Sequence, residues 1–286
     1  MKANLADGAC KASGTSRSLQ IPIYQIGAFS DEPFMGNPAS VCLLERWLPD
    51  TILQAIALEN NHPETAFLVD NGQGYDLRWF TPACEVTLCG HATLAAAHAV
   101  REFLRPGIDA VTFQSPSGPL HVAASGGRWT LDLPALPLMP IASPPGIAEA
   151  LGVAPQACFA SLDLMVVLRD EAELKAIRPD LEIVATFDLR GMVVTAPAED
   201  CDFASRFFAP KLSIPEDAIT GSAHCTLLPY WAKRLGKTEL AAKQFSIRLG
   251  RMHVIRMDGA LRGPRVHLRG SATTYLEGRI SIPDPA

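Results

Sequence analysis

The segment LCGHATLAAAHAV, residues 88–100, decides how this chain folds. It contains a glycine turn at Gly90 and then stays apolar on every side until Arg101 and Glu102. A helix on a protein surface carries polar residues along one face, whereas a helix that is apolar all round lies inside the protein. We therefore predict a buried helix that begins near Gly90 and ends before Pro106-Gly107.

The same design recurs in the segment TGSAHCTLL, residues 220–228. An aromatic segment that ends in proline precedes each copy, at residues 76–82 and 202–210. A segment typical of two strands and a turn follows each copy, at residues 113–122 and 244–254. Three matching features in the same order indicate an internal repeat. The repeat predicts two lobes with the functional site between them.

The remaining segments place the lobes along the chain. We expect a loose leader at 1–20, a first lobe at 21–133 and a second lobe at 146–272. The segment 134–145 is rich in proline and is expected to be an irregular linker, and residues 273–284 are expected to return to the first lobe. Strands are short and numerous, including one at 183–185, and helices are few. This pattern predicts an α+β fold in which each lobe is a curled, barrel-like mixed sheet around one central apolar helix.

Composition excludes several classes of protein. The chain has 286 residues, 48% of them hydrophobic, and a net charge of -5. It has no basic stripe and no apolar run of bilayer length, so we expect neither nucleic acid nor a membrane as a partner. Seven cysteines, an odd number spread thinly, predict reduced thiols in a cytoplasmic protein. The polar first 20 residues lack the apolar core of a signal peptide.

Glu64 and the two glycine-led helix starts are the candidates for chemistry. Glu64 precedes a strongly apolar strand, where partial desolvation would raise its pKa into the range useful for acid/base catalysis. Without further evidence, a solvent-exposed carboxylate at the start of a strand would be the simpler interpretation of Glu64. The helix starts at Gly90 and Gly221 present free backbone N–H groups, which suit a carboxylate or an enolate. His91 and Asp217 lie near these starts and could relay protons, although helix capping would explain either residue alone.

Metal, dinucleotide and ATP sites receive no support from the sequence. Cys84, Cys89, His91 and His98 lie close together in sequence, but they lack the spacing of a zinc site. The glycine-rich motifs that bind dinucleotides or ATP phosphates are absent from the sequence. We therefore expect no metal and no cofactor.

Five segments together resemble the phenazine-biosynthesis PhzF-like family of isomerases and epimerases. They are 34–39, 59–67, 78–82, 89–94 and 217–224, and they occur in the family's order. The resemblance, which covers about residues 21–282, implies the fold of diaminopimelate epimerase. It also implies a cofactor-independent enzyme, commonly a homodimer, with one catalytic glutamate.

The resemblance assigns a role to each candidate site residue. The acid/base glutamate of the family maps onto Glu64, and its supporting histidine and aspartate map onto His91 and Asp217. Substrate binding is assigned to four further residues: Asn37, Gly90, Gly221 and Ser222. Diaminopimelate epimerase itself uses two opposed thiols. Here Cys89 matches the first of them, but Thr220 stands at the second, and its hydroxyl is too weakly acidic for that role.

The leading hypothesis is an isomerase that shifts a proton, and with it a double bond, on a small carboxylate-bearing metabolite. Glu64 would act as both acid and base in the cleft between the lobes. One alternative is a one-thiol epimerase in which Cys89 and Glu64 act from opposite sides. The other is a metabolite-binding protein without catalysis. The sequence does not identify the substrate.

Overall fold

The computed structural model describes residues 18–248 and 250–284. Most of the leader expected at 1–20 therefore lies outside the described residues, and its last three residues already belong to the first strand. The described strands are β1 (Ser18–Ala28), β2 (Asn37–Leu44), β3 (Glu64–Asp70), β4 (Tyr75–Phe80), β5 (Glu85–Val86), β6 (Ala110–Ser115), β7 (Gly118–Ser125), β8 (Arg128–Pro134), β9 (Met139–Ile141), β10 (Ala157–Ala160), β11 (Leu164–Val167), β12 (Met192–Pro197), β13 (Phe203–Ala209), β14 (Ile214–Asp217), β15 (Glu239–Arg248), β16 (Arg251–Arg262), β17 (Arg265–Gly270) and β18 (Ala272–Pro283).

The helices are fewer and mostly short. They are α1 (Asp50–Asn60), α2 (Gly90–Ala99, continued by a π-helical turn at Val100–Leu104), α3 (Ile147–Leu151), α4 (Glu171–Ala176), α5 (Leu181–Thr186) and α6 (His224–Leu235). No helix among the described residues combines the length and the apolar character needed to cross a bilayer.

The strand pairings repeat between the two halves of the chain. In the first half β2 pairs parallel with β3, β3 antiparallel with β4, and β4 parallel with β6, which continues into the antiparallel strands β7 and β8. In the second half β11, β12, β13, β15, β16 and β17 pair in the same order and with the same directions. The predicted α+β fold with two pseudo-symmetric lobes is confirmed.

The lobes share one continuous sheet because β8 pairs with β17. The C-terminal strand β18 runs antiparallel to β1 along its whole length, beside the first lobe. Among the described strands, β18 and β9 lie at the two ends of the sheet and do not pair with each other, so the sheet curls without closing.

Each lobe wraps its sheet around one helix. Every residue of α2 except His98 is buried, and the helix packs against β1, β2, β3 and β8. The small alanine side chains let these strands approach closely on all sides. The helix of the second lobe, α6, buries Trp231 and packs against β15, β16 and β17. The prediction that residues 88–100 form an interior helix is therefore confirmed.

Two local predictions were wrong. Residues 183–185 belong to α5 and not to a strand, because the Asp180 carboxylate accepts hydrogen bonds from the backbone of Glu182 and Ile183 and caps a helix there. The proline-rich segment is also not wholly irregular, since β9 pairs with β10. Proline fits there because β9 is an edge strand, and the backbone groups on its outer side need no partner strand.

Candidate functional site

The two lobes meet where their glycine-led segments approach each other. A side-chain carbon added to Gly90 would lie 2.8 Å from the Cα of Gly221, and one added to Gly221 would lie equally close to the Cα of Gly90. Only glycine allows two backbones to come so near. The contact brings the start of α2 beside the turn that leads into α6. The first N–H groups of a helix have no acceptor within the helix, so free donors gather at this point.

Glu64 is the first residue of β3, and the fold buries its carboxyl group. The residue is only 9% exposed, and its Oε2 atom lies 3.2 Å from Nε2 of His91. The two atoms are not aligned as a hydrogen bond, and neither has a hydrogen-bond partner among the described residues. Burial, followed by the negative charge of Asp217, raises the pKa of Glu64 to about 8. The carboxyl group can therefore both accept and donate a proton near neutral pH.

His91 and Cys89 stand beside Glu64 in their neutral forms. Burial, with the proximity of His62, lowers the pKa of His91 to about 3. Burial, with the proximity of Glu64, raises the pKa of the Cys89 thiol well above its usual range. Cys89 Sγ lies 3.6 Å from Nδ1 of His91. An uncharged imidazole and an uncharged thiol thus flank the carboxyl group.

Asp217, at the end of β14, comes from the second lobe and is held by both lobes. Its Oδ1 accepts a hydrogen bond of 2.7 Å from Nδ2 of Asn37 in the first lobe. Its Oδ2 accepts one of 2.6 Å from the hydroxyl of Thr220. Desolvation raises the pKa of Asp217, and the carboxyl group lines the same cavity as Glu64.

Asn37 and Thr220 therefore have positions that sequence reasoning did not anticipate. Asn37, assigned to substrate binding, holds Asp217 and the Ile219 carbonyl, while its Oδ1 atom has no hydrogen-bond partner among the described residues. Thr220 stands at the second thiol position of diaminopimelate epimerase. Its hydroxyl donates to Asp217, and its backbone N–H donates to Gln244.

Arg190 is the site residue that sequence reasoning missed. It follows α5 and reaches the cavity, where its Nη2 atom donates a hydrogen bond of 2.9 Å to the hydroxyl of Ser222. Asp163, which is 3% exposed, accepts two hydrogen bonds from the same guanidinium group. One signal could have found it. If the internal repeat is extended one strand upstream, Arg190-Gly191 aligns with Pro63-Glu64.

The cavity between the lobes is small. Its volume of about 20 Å³ is close to the room that one water molecule requires. The predicted residues Glu64, Gly90, His91, Asp217, Gly221 and Ser222 all line it, whereas Asn37 lies behind Asp217. The remaining lining residues are Val86, Leu88, Cys89, Arg190, Phe207, Leu212, Ile214 and Thr220.

The cysteines and histidines that are close together in sequence do not form one cluster. His98 lies beside Thr274, and Cys84 lies beside Thr81. Glu64, Cys89 and His91 instead bring an oxygen, a sulfur and a nitrogen atom within 4.8 Å of one another. This donor set is of the kind that holds a borderline-soft cation such as Zn²⁺.

Comparison with known proteins places this site in a family context. The family model described as phenazine biosynthesis-like protein, PhzC-PhzF, matches residues 26–278. An uncharacterized isomerase of Pseudomonas aeruginosa is 44% identical over 264 residues, which cover 92% of this chain and 100% of the relative. The crystal structure of a PhzF family protein from Enterococcus faecalis is 41% identical, with a TM-score of 0.85, and the match covers 92% of this chain and 100% of that one.

A more distant structure shows how far the fold extends. The hydroxyproline epimerase of Agrobacterium vitis is 11% identical, with a TM-score of 0.57 over 93% of this chain and 94% of that one. At this identity the comparison shows a shared fold and nothing about the site.

The contact between the glycines yields a prediction for stability. Gly221→Ala places a methyl group 2.8 Å from the Gly90 backbone, and we expect it to lower the free energy of unfolding by about 1 to 3 kcal/mol. Urea denaturation followed by circular dichroism measures this. Gly278→Ala is the matched control, because its added carbon would meet its nearest neighbour at an ordinary 3.5 Å. Equal stability of the two variants would show that the lobes do not meet in this way.

Proposed function

Because the chain belongs to the phenazine biosynthesis-like (PhzC-PhzF) family, as its five motifs predicted, we propose that it moves a proton within a small carboxylate-bearing substrate. The family assignment makes the chain an isomerase. The substrate class and the proton carrier are our proposal. The observation that carries it is Glu64, a buried carboxyl group in the cavity between the lobes whose pKa is raised to about 8. Its Oε2 atom has no hydrogen-bond partner in the part of the chain that the structure describes.

The proposed reaction uses only the side chains and backbone groups of the cavity. Ionised Glu64 removes a proton from a carbon of the substrate and becomes protonated. The negative charge spreads over the substrate toward its carboxylate, and the same proton returns to another carbon on that face. The net result is a hydrogen and double-bond shift without a change in composition. A single residue suffices because its pKa lies near the working pH.

The helix starts supply the electrostatic part of the mechanism. The backbone N–H groups near Gly90, Gly221 and Ser222 would hold the acid group of the substrate and the charge that develops on it. His91 and Asp217 flank the proton carrier. Burial keeps the imidazole of His91 neutral. We therefore propose that His91 forms a hydrogen bond with the reacting part of the substrate without placing a positive charge beside Glu64.

Motion of the lobes is part of the proposal. The cavity of about 20 Å³ is too small for any organic acid, so the lobes must separate to admit the substrate and come together again around it. Closure would exclude water from the carbanion-like intermediate and strengthen each electrostatic contact within the cavity.

Removing the charge of Glu64 is the direct test. We expect Glu64→Gln to fold normally but to lose at least about 100-fold in turnover, because general acid–base catalysis contributes that much or more. The protein would be incubated in deuterated water with a panel of small amino acids and cyclic unsaturated acids. Products and deuterium incorporation would be followed by NMR and mass spectrometry.

Glu59→Gln is the matched control for that experiment. Glu59 is exposed on α1 and lies outside the cavity, so this variant should behave as the wild type. Turnover in Glu64→Gln close to that of the wild type would rule out Glu64 as the proton carrier. Binding of an acid by the wild type with neither conversion to a product nor exchange of any of its C–H protons would instead favour the metabolite-binding alternative.

The pH dependence of turnover gives a further prediction. Only ionised Glu64 can remove a proton, and its pKa is raised to about 8, chiefly by burial. We expect kcat/KM to rise about tenfold per pH unit below that value and to level off above it. Small carboxylic acids are already ionised in this range, so the profile reports on the enzyme. A flat profile between about pH 6 and pH 9 would contradict the assignment.

The one-thiol epimerase remains a second candidate because Cys89 lies within the same cluster as Glu64 and His91. A proton shift that depends on Glu64 alone should keep turnover within about tenfold in Cys89→Ala, whereas epimerisation between opposed groups should fall by about 100-fold or more. Cys42→Ala is the control for loss of a buried thiol, since Cys42 packs in a separate apolar cluster. Chiral chromatography of the product distinguishes the two reactions.

Assembly and location stay as expected from the sequence and the resemblance. We retain as proposals a homodimer in the cytoplasm, with a small acidic metabolite as the ligand and without a nucleic-acid or membrane partner.

A further inference from the structure

The register of the repeat identifies which residues of the two lobes correspond. Phe80 of β4 and Phe208 of β13 occupy the same place in their repeated segments. Phe80 pairs with Thr65 of β3, and Phe208 pairs with Met192 of β12. Thr65 and Met192 are therefore equivalent under the pseudo-symmetry of the lobes.

The same equivalence identifies the counterparts of the two residues that precede Thr65. The counterpart of Glu64 is Gly191, and the counterpart of Pro63 is Arg190. A side-chain carbon added to Gly191 would lie 2.8 Å from Cζ of Phe207 and 2.9 Å from the Phe208 carbonyl oxygen. The second lobe therefore has no space for a carboxylate opposite Glu64. The guanidinium group of the preceding residue reaches the cavity instead.

The geometry of Arg190 resembles that of a built anion site more than that of an ordinary surface ion pair. Asp163 accepts hydrogen bonds of 2.9 Å from Nε and 2.6 Å from Nη2, which fix the plane of the guanidinium group. The side chain is 20% exposed and packs over the ring of Phe207. Among the described residues, none accepts a hydrogen bond from Nη1. Arg190 is thus a fixed, charged donor with unused hydrogens, and it lines the same cavity as Glu64.

Ser222 completes this arrangement. Its hydroxyl oxygen accepts a hydrogen bond from Nη2 of Arg190, so the hydroxyl hydrogen is free to point elsewhere. Ser222 is 4% exposed and lies in the turn that leads into α6. A planar carboxylate placed there would meet the guanidinium group, the hydroxyl hydrogen and the backbone N–H groups together. Such charge-assisted contacts are stronger than contacts between neutral groups.

We propose that Arg190, held by Asp163, binds the carboxylate of the substrate together with Ser222 and thereby makes the site specific for acids over their amides and esters. The nature of this ligand rests on the proposed function. The pseudo-symmetric cleft would then be chemically one-sided, with the proton carrier Glu64 from the first lobe and the carboxylate anchor from the second. In agreement with this placement, burial raises the pKa of Glu64 and of Asp217, and the positive charge of Arg190 offsets part of that rise.

Formate tests this proposal, because it is the smallest carboxylate and needs the least opening of the cavity. It would be titrated into ¹⁵N-labelled protein while the amide signals of Gly90, Gly221 and Ser222 are followed by NMR. We expect saturable shifts at these amides in the wild type and at least a tenfold weaker Kd in Arg190→Gln. Arg265→Gln is the matched control, because Arg265 forms an ion pair with Asp132 away from the cavity.

A structural role for Arg190 would give a different result. If the residue only fixes its loop, Arg190→Lys and Arg190→Gln should weaken formate binding equally or not at all. An anchoring role predicts partial retention in Arg190→Lys, and rescue of Arg190→Ala by ethylguanidinium but not by ethylammonium. Should Arg190→Gln not fold, the lysine variant and the rescue decide the question. Absence of shifts at the three amides in the wild type, or an unchanged Kd in every Arg190 variant, would overturn the proposal.

Turnover separates this inference from the proposed function. With any acid that the wild type converts, Arg190→Gln should raise KM at least tenfold and change kcat less. The same substitution should raise the KM for the corresponding amide by a smaller factor. If proton exchange proves independent of Glu64 while formate binding still depends on Arg190, the proposed reaction fails and the anion site stands. The reverse pattern would retain the reaction and remove the anchor.

Discussion

The approach of Gly90 to Gly221 is the contact on which the site depends. The backbones are so close that neither position leaves room for a side chain. This proximity places the start of α2 and the turn that leads into α6, one from each lobe, at a single cavity. It also brings Glu64 and Asp217 close enough for the charge of Asp217 to raise the pKa of Glu64. A side chain at either glycine would force the two backbones to shift at this contact.

Desolvation is the second consequence of that contact. The fold buries three ionisable groups where the lobes meet, and each responds by favouring its neutral form. The carboxyl group of Glu64 retains a proton more readily, the imidazole of His91 loses its proton, and the thiol of Cys89 keeps one. The protonation states available to the site are thus a property of the folded protein and not of the isolated side chains.

The repeat produced lobes of similar fold and a cleft of dissimilar chemistry. Equivalent backbone positions carry Glu64 in the first lobe and Gly191 in the second, beside Arg190. The helix starts likewise carry His91 in one lobe and Ser222 in the other. Asp217 corresponds to the apolar Val86. Pseudo-symmetry therefore supplies two matched backbone segments, while side-chain differences give one lobe Glu64, the proposed proton carrier, and the other lobe the charged groups Arg190 and Asp217.

The sequence by itself determined the buried helix at 88–100, the repeat and the family, because periodicity and motifs depend on neighbouring residues. It failed at 183–185, where a cap three residues upstream outweighed a strand-like composition. Only the tertiary structure decided the rest of the site, since its hydrogen bonds join residues far apart: Asn37 reaches Asp217 across 180 positions and Arg190 reaches Asp163 across 27. Local patterns cannot specify such contacts, nor the burial that sets the pKa of Glu64.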